Sequence, residues 1–196
     1  MYSDPSGELA VAVVVAILLF TPVGGIAFQV ASSLLGYAGM AIASIWDKDV
    51  RADMNAIGWN PFNSDVNKVL NSNKVSFYKG VPVYRTNFNR SGSFCAIFLN
   101  RASNTVPDTV RHEWGHAVQQ MILGPVKYGL FIGIPSAAEF GKHKWPSTTD
   151  YYNRPWETSA DIFGGVGGHT TREELRSYAY LVVAYYFTFF SYLFCI

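Results

Sequence analysis

Cysteine and charge are scarce in this chain of 196 residues. Its two cysteines, Cys95 and Cys195, lie far apart in apolar settings. They exclude a multi-disulfide framework, a Cys-x-x-Cys redox pair and a thiolate zinc cluster, and read as buried free thiols. Lys and Arg number 15 against 14 Asp and Glu, a net charge of +1. No basic run and no alternation of basic with aromatic residues occurs, which argues against nucleic acid as a partner.

Charge is missing altogether from two stretches, Leu9 to Trp46 and Ser177 to Ile196. In the first, an apolar run to Phe20 is broken at Thr21-Pro22-Val23-Gly24-Gly25, and a second run covers Ile26 to Ile45. At about 1.5 Å per residue the second is long enough to cross a hydrocarbon core of about 30 Å, and the first is not. Asp4 and Glu8 stand where a signal peptide needs positive charge. Ser32, Ser33, Gly36, Gly39 and Ser44 supply small residues for close helix packing. The C-terminal run spreads its tyrosines along its length, whereas membrane spans gather them at the interfaces. Residues 9–45 and 177–196 are the segments open to membrane contact, although the tyrosine spread counts against the second as a simple lipid-facing span. A buried helical hairpin with a packed C-terminal helix is the alternative. The expected organisation is an apolar helical segment at 1–46, a catalytic domain at 47–168 and an apolar helix at 169–196.

The chain has only four histidines, and two stand in His112-Glu113-Trp114-Gly115-His116. This H-E-x-x-H motif has a mechanical meaning on a helix. Residues four apart share a face, so both imidazoles can reach one zinc ion at about 2.0–2.1 Å. Glu113, slightly off that face, can accept a proton from the water the metal activates. Pro107 at the first helical position, Asp108 in the first turn and Gly124-Pro125 at the end predict a helix from Pro107 to Leu123. Val110, Trp114, Val118 and Met121 form its apolar stripe. His112, His116 and Gln119 are expected to face a cleft.

A catalytic zinc takes three protein ligands and keeps one open position. The longer metzincin pattern is absent, because Gln119 and Ile122 replace its Gly and third His. A second helix is predicted from Pro155 to Gly164-Gly165. On it Glu157 and Asp161 lie four apart on one face. Glu157 can be the third ligand and Asp161 can orient a ligand histidine through its outer N–H. The reverse assignment, with Asp161 as ligand, stays open. His143 is flanked by Lys142 and Lys144, and His169 follows a glycine-rich link, so both rank below the carboxylates. Tyr151, Tyr152 and Arg154 precede Glu157, and one of them, with Tyr152 taken first, can donate to a developing oxyanion.

Between Asp47 and the first motif, Val75–Tyr78 and Val81–Tyr84 read as two strands around Lys79-Gly80, with Pro82 confining the second to an edge or strand start. Ser93 to Leu99 reads as one further strand. A strand followed by an H-E-x-x-H helix resembles the zincin layout, in which an edge strand pairs with extended substrate; that resemblance implies Ala96, Ile97 and Phe98 as substrate-binding candidates.

H-E-x-x-H followed on a later helix by E-x-x-x-D resembles the gluzincins, the thermolysin-like metallopeptidases. The resemblance implies an α+β, zincin-like domain with a small antiparallel sheet and active-site helices. It implies His112, His116 and Glu157 as Zn²⁺ ligands, Glu113 as general base and Asp161 as the partner of His112. HEWGHAVQQMILGPVKYG, YYNRPWE and SADIFGG are similar to the C-terminal metallopeptidase toxin domains of Rhs-type polymorphic toxins, and Asp4-Pro5-Ser6-Gly7 to the motif that closes the Rhs core. That likeness implies a secreted or delivered effector that hydrolyses a polypeptide substrate and has an immunity protein as partner. The other classes are an intramembrane metalloprotease and a membrane-inserting module with a structural zinc site.

Overall fold

The computed structural model describes residues 5–88, 90–101, 106–142 and 151–194. Helices α1 (Pro5–Phe20) and α2 (Pro22–Trp46) are joined by Thr21 alone. The Thr21 hydroxyl accepts from the Gly24 N–H and Pro22 takes the first helical position, so a new helix starts at once. Asp47 ends α2 and caps α3 (Lys48–Ala56), accepting from the N–H groups of Asp49 and Val50. Helix α4 (Val66–Leu70) starts at Asp65, whose carboxylate accepts from the Asn67 N–H.

Four strands follow: β1 (Val75–Tyr78), β2 (Val81–Thr86), β3 (Gly92–Phe94) and β4 (Ala96–Asn100), in the order β1-β2-β4-β3. Strands β1 and β2 form the expected hairpin, with positive φ at Lys79 (46°) and Gly80 (85°) as a tight hairpin turn requires. Pro82 sits near the strand start, ahead of the β4 pairing that begins at Val83. The class is α+β, but the sheet is mixed and not antiparallel, because β2 and β4 run parallel.

The stretch expected as one strand, Ser93 to Leu99, is also two. It reverses at Cys95, where φ is 61° and Phe94 pairs with Ala96. Cys95 carries none of the residue chemistry that marks a turn. Two glutamines hold it instead: the Cys95 N–H donates to Gln120 Oε1 at 3.0 Å, and Gln29 Nε2 donates to the Cys95 carbonyl at 3.1 Å. This reversal corrects the substrate-strand expectation. Ala96, Ile97 and Phe98 lie in an inner strand paired on both sides, so their backbone has no edge to offer; β3 is the edge on that side of the sheet.

Helix α5 (Pro107–Leu123) has the predicted bounds. A short α6 (Pro125–Tyr128), a π-helical turn (Gly129–Gly133) and α7 (Ile134–Lys142) follow, then α8 (Pro155–Gly164) and α9 (Thr171–Phe194). One face of the sheet packs on α5 through Val83, Ile97, Leu99, Val110 and Ala117. Met40 of α2 is buried with Val50, Met54, Val75 and Phe77. Leu181 and Ala184 of α9 are buried with Leu123, Tyr128 and Ile132. The terminal helices thus contribute buried residues to the cores of the middle region.

The other sides of these helices are apolar and uncovered. Val23, Ile26, Val30, Leu34, Leu35 and Ile45 of α2 are exposed, as are Val182 and Val183 of α9. Helix α2 is long and apolar enough to cross a membrane by length and composition, and only 17% of its most apolar window is buried.

Candidate metal centre

Helices α5 and α8 touch backbone to backbone. A Cβ on Gly115 would collide with the Ala160 carbonyl, and one on Gly164 with the Arg111 carbonyl. Glycine within the H-E-x-x-H motif is therefore what lets α8 come close enough to present Glu157. That carboxylate is 1% exposed. Its Oε2 lies 3.1 Å from His112 Nε2 and 3.3 Å from His116 Nε2. The three residues form a buried group able to hold a metal ion. Ligands at about 2.0–2.1 Å in a tetrahedron are separated by roughly 3.3–3.4 Å; the His116 spacing matches this and the His112 spacing is slightly shorter.

Outer hydrogen bonds orient each candidate ligand atom. His112 Nδ1 donates to Asp161 Oδ1 at 2.6 Å, as expected, which leaves Nε2 to face the centre. His116 Nδ1 lies 2.7 Å from Gln119 Oε1. The Gln119 amide nitrogen donates to the Trp156 carbonyl and to Ser159 Oγ, both at 2.6 Å, so its oxygen faces His116 and the histidine N–H donates to it. Gln119 is fully buried between α5 and α8 and does not face the cleft, contrary to expectation. On Glu157, Ser136 Oγ donates to Oε1 at 3.1 Å and lies 2.6 Å from the Tyr151 hydroxyl, which directs Oε2 inward.

Glu113 is buried, and its Oε2 has no hydrogen-bond partner among the described residues. Burial raises its pKa above the ordinary carboxylate value, against the pull of His112 and His116. For His112, burial acts downward, but the hydrogen bonds to Asp161 and Glu157 outweigh it and push the pKa up to about 10. Burial would raise Glu157, but the charges and hydrogen bonds of His116 and His112 hold it far below the carboxylate range. A dense carboxylate–imidazole cluster with an orphaned carboxylate oxygen is a donor set that suits a divalent cation.

The cleft above this group has a volume of about 740 Å³ and is walled by β3, α5, the π-helical turn and the start of α8. Tyr151 and Tyr152 line it, while Arg154 is exposed outside it. Tyr152 is the more open of the two tyrosines, with its ring 6.0 Å from that of His112. Its pKa is raised, chiefly by burial and by the Glu157 charge. Gly92, Ser93 and Phe94 of the edge strand line the cleft; Ala96, Ile97 and Phe98 do not.

His143 lies outside the described residues. His169 is not a spare ligand on a loose link: its Nε2 donates to Asp161 Oδ2 at 2.8 Å. Two residues, Tyr128 and Ser136, and two roles, the orienting roles of Gln119 and His169, escaped the sequence reading. Gln119 carried a signal, since it stands three residues after His116 and is its neighbour on the helix. Tyr128, which closes the cleft and donates to the Ser93 carbonyl at 2.9 Å, and Ser136 carried none. Compared with family models, with curated proteins and with solved structures, the chain matches none, so the reading of this centre rests on its own side chains.

Proposed function

We propose that this chain is a zinc-dependent metalloendopeptidase with a zincin-like, gluzincin-type centre. One observation carries the reading. One ligand atom each of His112, His116 and Glu157 lies within 4.8 Å of the others, beside a buried Glu113 oxygen with no hydrogen-bond partner among the described residues. Zinc held by these three would supply a Lewis acid for a carbonyl and lower the pKa of water toward about 7.

The chain's own residues do the rest. Glu113 accepts the water proton on its free oxygen and returns it to the leaving amine, a task suited by its raised pKa. Asp161 and Gln119 hold each ligand histidine in the tautomer that keeps Nε2 free. Tyr152, half-exposed on the cleft wall, donates to the oxyanion. An extended polypeptide lies along the edge strand β3, across the cleft from α5.

The likeness of HEWGHAVQQMILGPVKYG, YYNRPWE and SADIFGG to Rhs-type toxin domains supports a delivered bacterial effector with an immunity protein as its partner. The exposed apolar faces of α1, α2 and α9 support membrane association. They also favour a second reading, a membrane-inserting module whose zinc is structural. An intramembrane protease is disfavoured, because α5 carries the ion pair Arg111–Asp108 at 3.0 Å.

The test is Glu113→Gln, which keeps the shape and removes the base. It retains zinc by metal analysis and slows cleavage of a peptide library by at least about 10²–10⁴-fold. A wild-type rate would sink the mechanism. Zinc-dependent vesicle leakage by a chain that cleaves nothing favours the second reading.

A further inference from the structure

We propose that His169 is a positioning residue that ties the C-terminal helix to the metal centre through Asp161. The inference rests on the metal reading above. Asp161 uses both carboxylate oxygens: Oδ1 accepts from His112 at 2.6 Å and Oδ2 from His169 at 2.8 Å. A carboxylate held at one oxygen can swing about its χ2 bond, which is broad and soft. Held at both, it has one orientation, and His112 inherits that orientation. Both partner side chains are nearly buried, His169 at 9% exposure and His112 at 12%.

The chain on either side of His169 is built to deliver the ring. Helix α8 ends at Gly165 in the left-handed conformation (φ 73°), with the Val166 N–H returning to the Asp161 carbonyl at 2.8 Å. Gly168, at φ 109°, turns the backbone in a way that side chains disfavour. Directly after His169, Thr170 and Glu173 form a reciprocal cap. The Glu173 N–H donates to Thr170 Oγ1 at 3.3 Å, and Glu173 Oε2 accepts from the Thr170 N–H at 2.8 Å. His169 is thus clamped between the end of α8 and the start of α9. Displacing α9 moves the ring that steadies Asp161. The centre therefore depends on a helix whose outer face is apolar and exposed, and which shares no ligand with it.

Zinc affinity, read by competition with a chromophoric chelator, tests this in the full chain. His169→Phe keeps the buried ring and removes the donor; it weakens zinc by about 10–100-fold. His169→Gln restores a donor to Oδ2 and recovers most of the affinity. In an Asp161→Ala background His169→Phe has no further effect, because it acts only through that carboxylate. Wild-type affinity in His169→Phe, or an equal loss in both backgrounds, overturns the proposal. Should His169→Phe not fold by circular dichroism, Thr170→Gly loosens the first turn of α9 with the ring in place. Weaker zinc in that variant supports the coupling and unchanged zinc refutes it. A wild-type chain that takes up no zinc overturns the metal reading itself, a different result from a zinc-binding wild type indifferent to position 169.

Discussion

At the centre each side chain has one job, set by which of its atoms are already engaged. His112 and His116 spend Nδ1 on Asp161 and Gln119 and present Nε2. Glu157 spends Oε1 on Ser136 and presents Oε2. Glu113 has one oxygen free. These engagements order the effects of substitution. Glu157→Ala removes a ligand and leaves two imidazoles, so zinc uptake falls furthest. Asp161→Ala and Gln119→Ala leave all three ligands and loosen one ring each, a loss of about 10–100-fold. Chelator competition on the three variants checks the order. Equal affinity in Glu157→Ala and wild type would return the ligand role to Asp161. The pair Glu157 and Asp161 was legible in sequence because helical spacing puts both on one face of α8. His169 was not, because a run of glycines reads as a loose link until Gly168 is seen folding the ring back.

Among the elements, the contact of α5 with α8 decides whether the ligands meet. Gly115 lies against the Ala160 carbonyl with no room for a methyl group. Gly115→Ala forces the two helices apart, and Glu157 recedes from both histidines. Overpacking of this kind costs typically about 1–3 kcal/mol. The zinc loss should exceed what that destabilisation alone brings, because all three ligands must stay in register. Thermal melting and zinc titration of the same variant separate the two effects. A variant that melts low but binds zinc normally would contradict this account of the crossing. The bounds of α5 were readable in advance because its signals are local: Pro107 and Asp108 at one end, Gly124-Pro125 at the other. The reversal at Cys95 was not. Its stabilising partners are Gln29 on α2 and Gln120 on α5, and no local pattern announces a turn held from outside. The same reversal moves the edge of the sheet from β4 to β3, which is why Ala96 to Phe98 looked like the strand for substrate.

For the whole molecule, the terminal helices have two different sides. The inner side of α2 is built in: Gly25 meets the Met121 carbonyl on α5, Ser33 Oγ donates to the Gly80 carbonyl at 2.5 Å, and Met40 fills the core. A fragment from Asp47 to Gly168 therefore loses Met40, Leu181 and His169 together. It should be insoluble or bind zinc weakly, as solubility and metal analysis will show; a soluble fragment with wild-type zinc affinity would mean the middle region folds alone.

The outer side is separable from the fold. Leu34 is 67% exposed and Leu35 74% exposed, on the same uncharged helix as exposed Val30 and Ile26. Apolar patches of this continuity on one face mark contact with another apolar phase. Leu34 and Leu35 are mostly exposed, and exposed substitutions usually change stability by less than about 0.5 kcal/mol. Leu34→Glu with Leu35→Lys should therefore leave the melting temperature and the zinc affinity unchanged. Vesicle flotation should fall steeply, since a charge within a bilayer costs about 2.5–3.5 kcal/mol even on the mildest scale. The pair carries opposite signs, so the net charge is constant and simple attraction to anionic lipid cannot explain the change. Flotation equal to wild type would show that this face serves a protein partner or a second copy of the chain, and light scattering of the wild-type chain in detergent-free buffer distinguishes those two.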